Sequence, residues 1–406
     1  MQKATCFFIT LYFVTFFKLI SNKFKLKKHT AFFVLALFIL MHFWIFRCQE
    51  EKNTFMFATV DVCCLYYYIV SNMVNATIVM KLINNDFLYG SIKEKNSVKT
   101  GLVLVAVYFA LFSNLYASII LAVYIGTQLL VEFFNVLKNK NFLETLKNNI
   151  IRLIYIFSWA AMQLFEMNGT RAKSLEKGSS ILELIKENLK EFWKIKNKVN
   201  GNFKKYVLVI FVFFILCIIV TYITKKELKK ENVKFLKEIF FLVFPLVISA
   251  TYLIIVSAKH YIGSIARPDI NFGIVFYGFI ILFYMICYLV NKIQFTNIIL
   301  PIFLIAILFD IDTTERTFSV YYYNGPTDQK RIEISDDIVD QIIEADKNGT
   351  EMTLYVPKFN DGDNWPIATY AGNDISRTLY KYGIINYYIN VNMVPTEDKN
   401  VELGLY

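Results

Sequence analysis

Apolar runs follow one another along the first three quarters of this chain, separated by short polar breaks, and the pattern stops after Phe309. A segment that crosses the hydrocarbon core needs about 17 to 25 mostly apolar residues, because each backbone amide must be satisfied inside the helix. Runs of this character cover 4–17, 30–46, 57–80, 101–113, 116–135, 149–167, 207–223, 235–258, 272–290 and 298–309. The pattern predicts an α-helical polytopic membrane bundle of about ten transmembrane helices over 1–309. From 310 to 406 the periods change. Ile334, Ile338, Ile342 and Ala345 share a helical face between Arg331 and Asp346, and Met352, Leu354 and Val356 alternate as a strand stopped by Pro357. A loop over Asn360 to Pro366, a helix near Ser376 to Tyr382 and a strand across Ile385 to Val394 complete a small soluble α/β domain.

Charge orients these parts. The chain carries +10, but 310–406 holds 17 acidic and 8 basic residues, so the bundle alone is +19. Loops left in the cytoplasm concentrate lysine and arginine. Lys18, Lys23, Lys25, Lys27 and Lys28 follow the first run, Lys81, Lys93, Lys95 and Lys99 the third, and Lys225, Lys226, Lys229, Lys230 and Lys234 the seventh. Alternation then puts both termini outside, so the acidic domain is expected to be extracytoplasmic, and a cysteine placed at Ser376 to react with an impermeant reagent on intact cells. One basic segment, Asn168 to Tyr206, falls outside by parity. Within it Ser180 and Glu183 form a capping box, and Ile181, Leu184, Ile185, Leu189, Phe192, Ile195 and Val199 recur at helical spacing opposite charged positions. This predicts an amphipathic interfacial helix over about 180–199. The alternative is a cytoplasmic amphipathic helix, with the topology shifted by one span.

Five of the six cysteines lie inside apolar runs and have the character of small core residues; Cys48 is the exception. The chain has no CxxC, P-loop or GxGxxG, which argues against a nucleotide-driven pump. Met1 to Phe17 has the length of a signal peptide, but its lysines follow the apolar run and no small-residue cleavage site appears, so it is expected to be a span. Asp361 and Asp363 lack the later ligands of a calcium loop, and Asp336 and Asp337 sit near a helix start, where acids favour the dipole. No cofactor is assigned, and a divalent metal has no supporting spacing.

Candidate chemistry lies at the outer ends of the runs. Four places combine polar groups: Arg47, Glu50, Glu51 and Lys52, with Asp61 beyond; Asn114, in a tight break of a long apolar stretch; Glu166 through Arg171; and Lys259, His260 and Tyr261 through Arg267, Pro268 and Asp269. A carboxylate among them suits a general base toward an acceptor hydroxyl, and arginine or lysine suits a pyrophosphate. The plain alternative is charges that snorkel into headgroups.

The order of features resembles the C-type integral-membrane glycosyltransferases of bacteria. It has a many-span bundle, an outer amphipathic helix, an Arg-containing outer loop before a late span and a small extracytoplasmic α/β domain. The pattern from Arg331 to Val356, and later Tyr387 to Pro395, is similar to the end of the members that build cell-surface polysaccharide. The resemblance implies transfer of a sugar from a polyprenyl-phosphate donor to a surface glycan on the outer face of the cytoplasmic membrane. It casts Glu50, Glu51 and Glu166 as catalytic and Arg171, Lys259, His260 and Arg267 as donor-phosphate ligands. The partners implied are the lipid bilayer, the lipid-linked sugar and a glycan acceptor, with no nucleic acid. One departure stands out: the family's acidic pair follows the first span, whereas Glu50 and Glu51 follow the second, as in an N-terminally truncated or degenerate member. A polysaccharide or lipid transporter (flippase) and a non-catalytic membrane scaffold are the competing readings.

Overall fold

A computed structural model describes residues 2–45, 65–90, 97–139, 142–167, 181–194, 203–223, 229–258, 265, 267–293, 296–310, 327–347, 349, 351–359, 367–368 and 371–405. The chain divides into two compact units, Met1–Tyr321 and Tyr322–Tyr406.

The first unit is helical. Helices α1 (Gln2–Phe24) and α2 (Lys28–Ile45) pair antiparallel, and a π-helical turn (Leu65–Val70) runs into α3 (Ser71–Asn84). Then come α4 (Ser97–Leu111), α5 (Ser118–Asn139), the short α6 (Phe142–Asn148) and α7 (Ile150–Met167). The remaining helices are α8 (Ile181–Lys194), α9 (Phe203–Ile223), α10 (Lys229–Ala258), α11 (Pro268–Lys292) and α12 (Thr296–Asp310). Among the described residues, six stretches are long and apolar enough to cross a membrane: Ala4–Phe24, Lys28–Ile45, Ser118–Val136, Lys204–Ile223, Glu231–Ala258 and Asp269–Lys292. The unit has the build of an integral helical membrane protein.

Helix α11 is the hub. It is apolar on every side, so no face favours water, and it is buried from Asp269 to Val290. α1, α2, α3, α9, α10 and α12 pack around it. Its Phe279 and Phe283 meet Phe38 of α2 edge-on at 5.6 and 5.2 Å between ring centres, and Phe38 stacks on Phe16 of α1. Beside this aromatic layer lies a buried polar pair: His42 Nδ1 is 2.7 Å from the Phe38 carbonyl, and Nε2 is 3.0 Å from the Tyr12 hydroxyl. A carbonyl can only accept, so Nδ1 carries the proton and Nε2 accepts from Tyr12. α9 is the reverse of α11, with Leu208, Phe211 and Tyr222 exposed. That is the surface expected against lipid chains.

Opposite charges pair at one end of the bundle. Lys23 near the end of α1 reaches Glu238 of α10 at 3.0 Å, and Lys292 at the end of α11 reaches Glu231 at 3.1 Å. Arg267, at the start of α11, lies at the other end. Asn188 of α8 is buried and donates to the Ile254 carbonyl and the Ser257 hydroxyl of α10, both at 2.8 Å. That contact puts α8 toward the Arg267 end of α10, about 20 residues beyond Lys234. The expected continuation of this helix over 195–199 lies outside the described residues.

The second unit contains α13 (Asp328–Ala345), β1 (Glu351–Pro357), α14 (Ala371–Lys381), β2 (Asn390–Thr396) and α15 (Glu397–Glu402). The strands are parallel, with Glu351 opposite Asn390 and Pro357 opposite Thr396, and α14 lies on the connection between them. In a two-stranded sheet every strand is an edge, which is why Pro357 and Pro395 are tolerated. Ile334, Ile338 and Ile342 of α13 form the core with Leu354, Val356, Val391 and Met393 of the strands.

The second strand starts later than its apolar pattern suggests. Ile385 and Ile389 are buried, but the backbone N–H groups of Asn386 and Tyr387 donate to the Asp346 carboxylate at 2.9 and 3.1 Å. The Ser376 hydroxyl donates to the Ile389 carbonyl and accepts its N–H. These side chains use the groups a ladder would need. Ser376 is therefore fully buried, and a thiol there is shielded from reagents.

Gly372 marks the closest approach of α14 to the sheet: a Cβ there would lie 2.6 Å from Val391 Cγ1 and 3.0 Å from Met393 Cγ. Valine is stiff at χ1, so the strand must give. Gly372→Ala is expected to destabilise this unit by about 1–3 kcal/mol, with recovery when Val391→Ala is added. Denaturant melts of the full chain followed at the second unit check this; an unchanged midpoint for the single variant would refute the close packing.

Candidate functional site

The richest polar cluster lies at the Arg267 end. Pro268 at the first position of α11 fixes the helix start, and Arg267 before it is extended, with φ −67° and ψ 134°. The guanidinium turns back to Asp269 in a fork: Nε donates to Oδ1 at 3.1 Å and Nη2 to Oδ2 at 3.0 Å. The Asp269 carboxylate is fully buried, while Arg267 keeps about a fifth of its side chain exposed. The guanidinium also lies over the Tyr68 ring, 5.0 Å from its centre.

Two further elements build the rest of the wall. Where the π-turn passes into α3, its carbonyls are used by side chains: Ser71 Oγ donates to Tyr66 and Asn114 Nδ2 to Tyr67, at 3.0 and 2.9 Å. Such a turn inside a helix is often found at functional sites. Asn114 also accepts from the Tyr116 and Ala117 N–H groups, capping the start of α5 in the 112–117 break. Asn72 donates to the Asp269 carbonyl at 2.9 Å, while Asn75 donates to Ser71, Ala110 and Ser113. The Oδ1 atoms of both asparagines are buried with no hydrogen-bond partner among the described residues. Tyr116 lies within electrostatic reach of Arg267, Asp269, Tyr67 and Tyr68, and Tyr252 within reach of Tyr116. Tyr252 in turn donates to Gln163 Oε1 at 2.6 Å, and Gln163 and Trp159 both donate to Ser118.

The second and fourth places picked from the sequence therefore come to one end of the bundle: Asn114 binds the Tyr67 carbonyl, and Arg267 lies over the neighbouring Tyr68 ring. Of the third place, Glu166 through Arg171, only Glu166 has its side chain among the described residues; Gln163, one turn before it, is not one of the candidates. Glu166 itself is exposed on the last turn of α7 and is not brought to this cluster. Glu50, Glu51, Asp61, Arg171, Lys259 and His260 lie outside the described residues. Sequence reasoning passed over Asn72, Asn75, Gln163 and Tyr252. Their signal was an amide or hydroxyl inside an apolar run, where an unsatisfied polar group is costly and so implies a partner.

Chemically, the cluster offers amide and phenol groups around one arginine already held by a carboxylate. A phosphate approaching Arg267 competes with Asp269 for the same Nε–Nη2 edge. Among the described residues, no three His, Cys, Asp or Glu side chains gather as metal ligands. No family model, curated protein or solved structure matches this chain.

Proposed function

We propose that this chain is a membrane glycosyltransferase-like protein of bacterial cell-surface polysaccharide assembly. It takes a sugar from a polyprenyl-phosphate donor at the outer face and passes it to a glycan acceptor. In this reading the bundle makes about ten spans, counting α3, α4, α7 and α12 as well, and the second unit is extracytoplasmic. The observation that carries it is the convergence of Arg267, Asp269, Tyr68, Tyr116 and Gln163 at the end of the bundle away from Lys23 and Glu238. That is the end the lysine rule assigns to the outside. Glu50 and Glu51 supply the general base, and Arg171, Lys259 and His260 the donor-phosphate contacts, while Arg267 positions the wall.

The test is surface glycan measured in cells whose only copy is Glu50→Gln with Glu51→Gln, or Arg171→Lys, each at normal protein level. Loss of a general base lowers such a rate by about 10²- to 10⁴-fold, so glycan is expected to vanish in the double variant. Full glycan in both strains would remove the proposed site. One observation favours a transporter instead: His42, hydrogen-bonded to Tyr12, sits fully buried inside a membrane-spanning helix, where ionisable residues tend to mark proton or substrate paths. His42→Gln with intact glycan would leave that reading without support.

A further inference from the structure

At the opposite end of the bundle a cavity of about 270 Å³ opens between α1, α5, α10 and α11, lined by Lys23, Lys234, Lys237, Glu238, Tyr124 and Tyr284 among others. Lys23 is fixed there twice, by Glu238 at 3.0 Å and over the Tyr284 ring at 5.8 Å. Lys234 and Lys237 are exposed, and no ion pair engages either among the described residues. The Tyr284 hydroxyl is buried with no hydrogen-bond partner among the described residues. A buried phenol without an acceptor is costly, and three ammonium groups facing one carboxylate leave an excess of two positive charges. Both needs are met by one oxyanion with several acceptor oxygens.

We propose that this cavity binds a phosphate group, held by Lys23, Lys234 and Lys237 and accepting from the Tyr284 hydroxyl. A phosphate ester of a lipid and a soluble phosphate present the same oxygens. Phe240, Phe244 and Val247 stand exposed along α10, the helix that carries Lys234 and Lys237, giving an acyl chain an apolar surface on the same helix. Glu238 works against the anion but orients Lys23. The site is independent of the Arg267 cluster: Lys234 and Ser257 are separated by roughly 35 Å of α10 at 1.5 Å per residue.

The experiment uses the full chain in phosphatidylcholine nanodiscs containing a minor fraction of phosphatidylglycerol, with retained lipid counted by native mass spectrometry. Wild type is expected to retain phosphatidylglycerol selectively. Lys234→Gln with Lys237→Gln should weaken retention roughly 30-fold and Glu238→Gln strengthen it roughly fivefold, as charges near a membrane surface do. Tyr284→Phe, which keeps the ring packing, should weaken it roughly fivefold. Lys25→Gln, Lys27→Gln and Lys28→Gln together, exposed or flanking the first helix turn outside the cavity, should change little. Inorganic phosphate added to the same sample separates the sources: displacement of the lipid marks a soluble phosphate site, and its persistence marks a lipid site. Equal losses in the cavity and control variants, or no selectivity in wild type, would overturn the proposal, as would a Glu238→Gln variant that binds less.

Discussion

Arg267→Ala is expected to lower the stability of the bundle by about 3–5 kcal/mol, because it strands a fully buried carboxylate. Asp269 is held by both nitrogens of the fork and by the backbone N–H groups of Asp269 and Ile270 at the start of α11. Adding Asp269→Asn removes the stranded charge, so the double variant should regain most of the lost stability, measured as thermal unfolding in detergent. This pair also settles what Arg267→Lys cannot. A lysine loses the forked geometry toward carboxylate and phosphate alike, so a functional defect in that variant is expected under either role. In the double variant the scaffold is restored while the guanidinium stays absent. Normal surface glycan there would assign Arg267 to packing; missing glycan at normal stability would assign it to ligand contact. A single Arg267→Ala variant as stable as wild type would remove the buried pair altogether.

The contrast between Arg267 and Gln163 shows what the chain discloses on inspection and what it withholds. Arg267 was legible because Pro268 and Asp269 follow it at a boundary between apolar and polar residues, and a cation at such a boundary is visible without any fold. Gln163 is one amide in an apolar run; its role depends on Ser118 and Tyr252, 45 and 89 residues away. Periodicity gives a helix its faces but not the helix each face meets. Helices extend past their apolar runs for a related reason. The first apolar run stops at Phe17, yet α1 continues to Phe24, because Lys23 is carried by Glu238 and Tyr284 and needs no break in the helix. Hydropathy marks the part of a helix that lipid tolerates, whereas hydrogen bonds and ion pairs decide where it stops. In the second unit the strand period was present in Ile385 to Ile389, but Asp346 and Ser376 claimed the backbone, so β2 begins at Asn390.

Orientation gives the other large effect, an all-or-none one. If lysine-rich turns stay in the cytoplasm, a thiol on the second unit should be labelled by a membrane-impermeant reagent on intact cells, and a thiol at Lys25 only after lysis. Ser376 is the wrong place for that thiol because it is buried against Ile389, whereas Thr378 on the same helix is exposed. The background must lack the six natural cysteines, so that any signal comes from the introduced thiol. Thr378→Cys is then expected to react fully and Lys25→Cys not at all. The reverse pattern would put the acidic unit in the cytoplasm, where no polyprenyl-linked donor displayed on the outer face could reach it, and the Arg267 cluster would face inward with α8. Labelling of both sites on intact cells would show that Lys25 and Thr378 lie on one side, which an odd number of spans between them cannot give. Nine of the ten proposed spans separate these two positions, so the pair tests the parity of the count together with its direction.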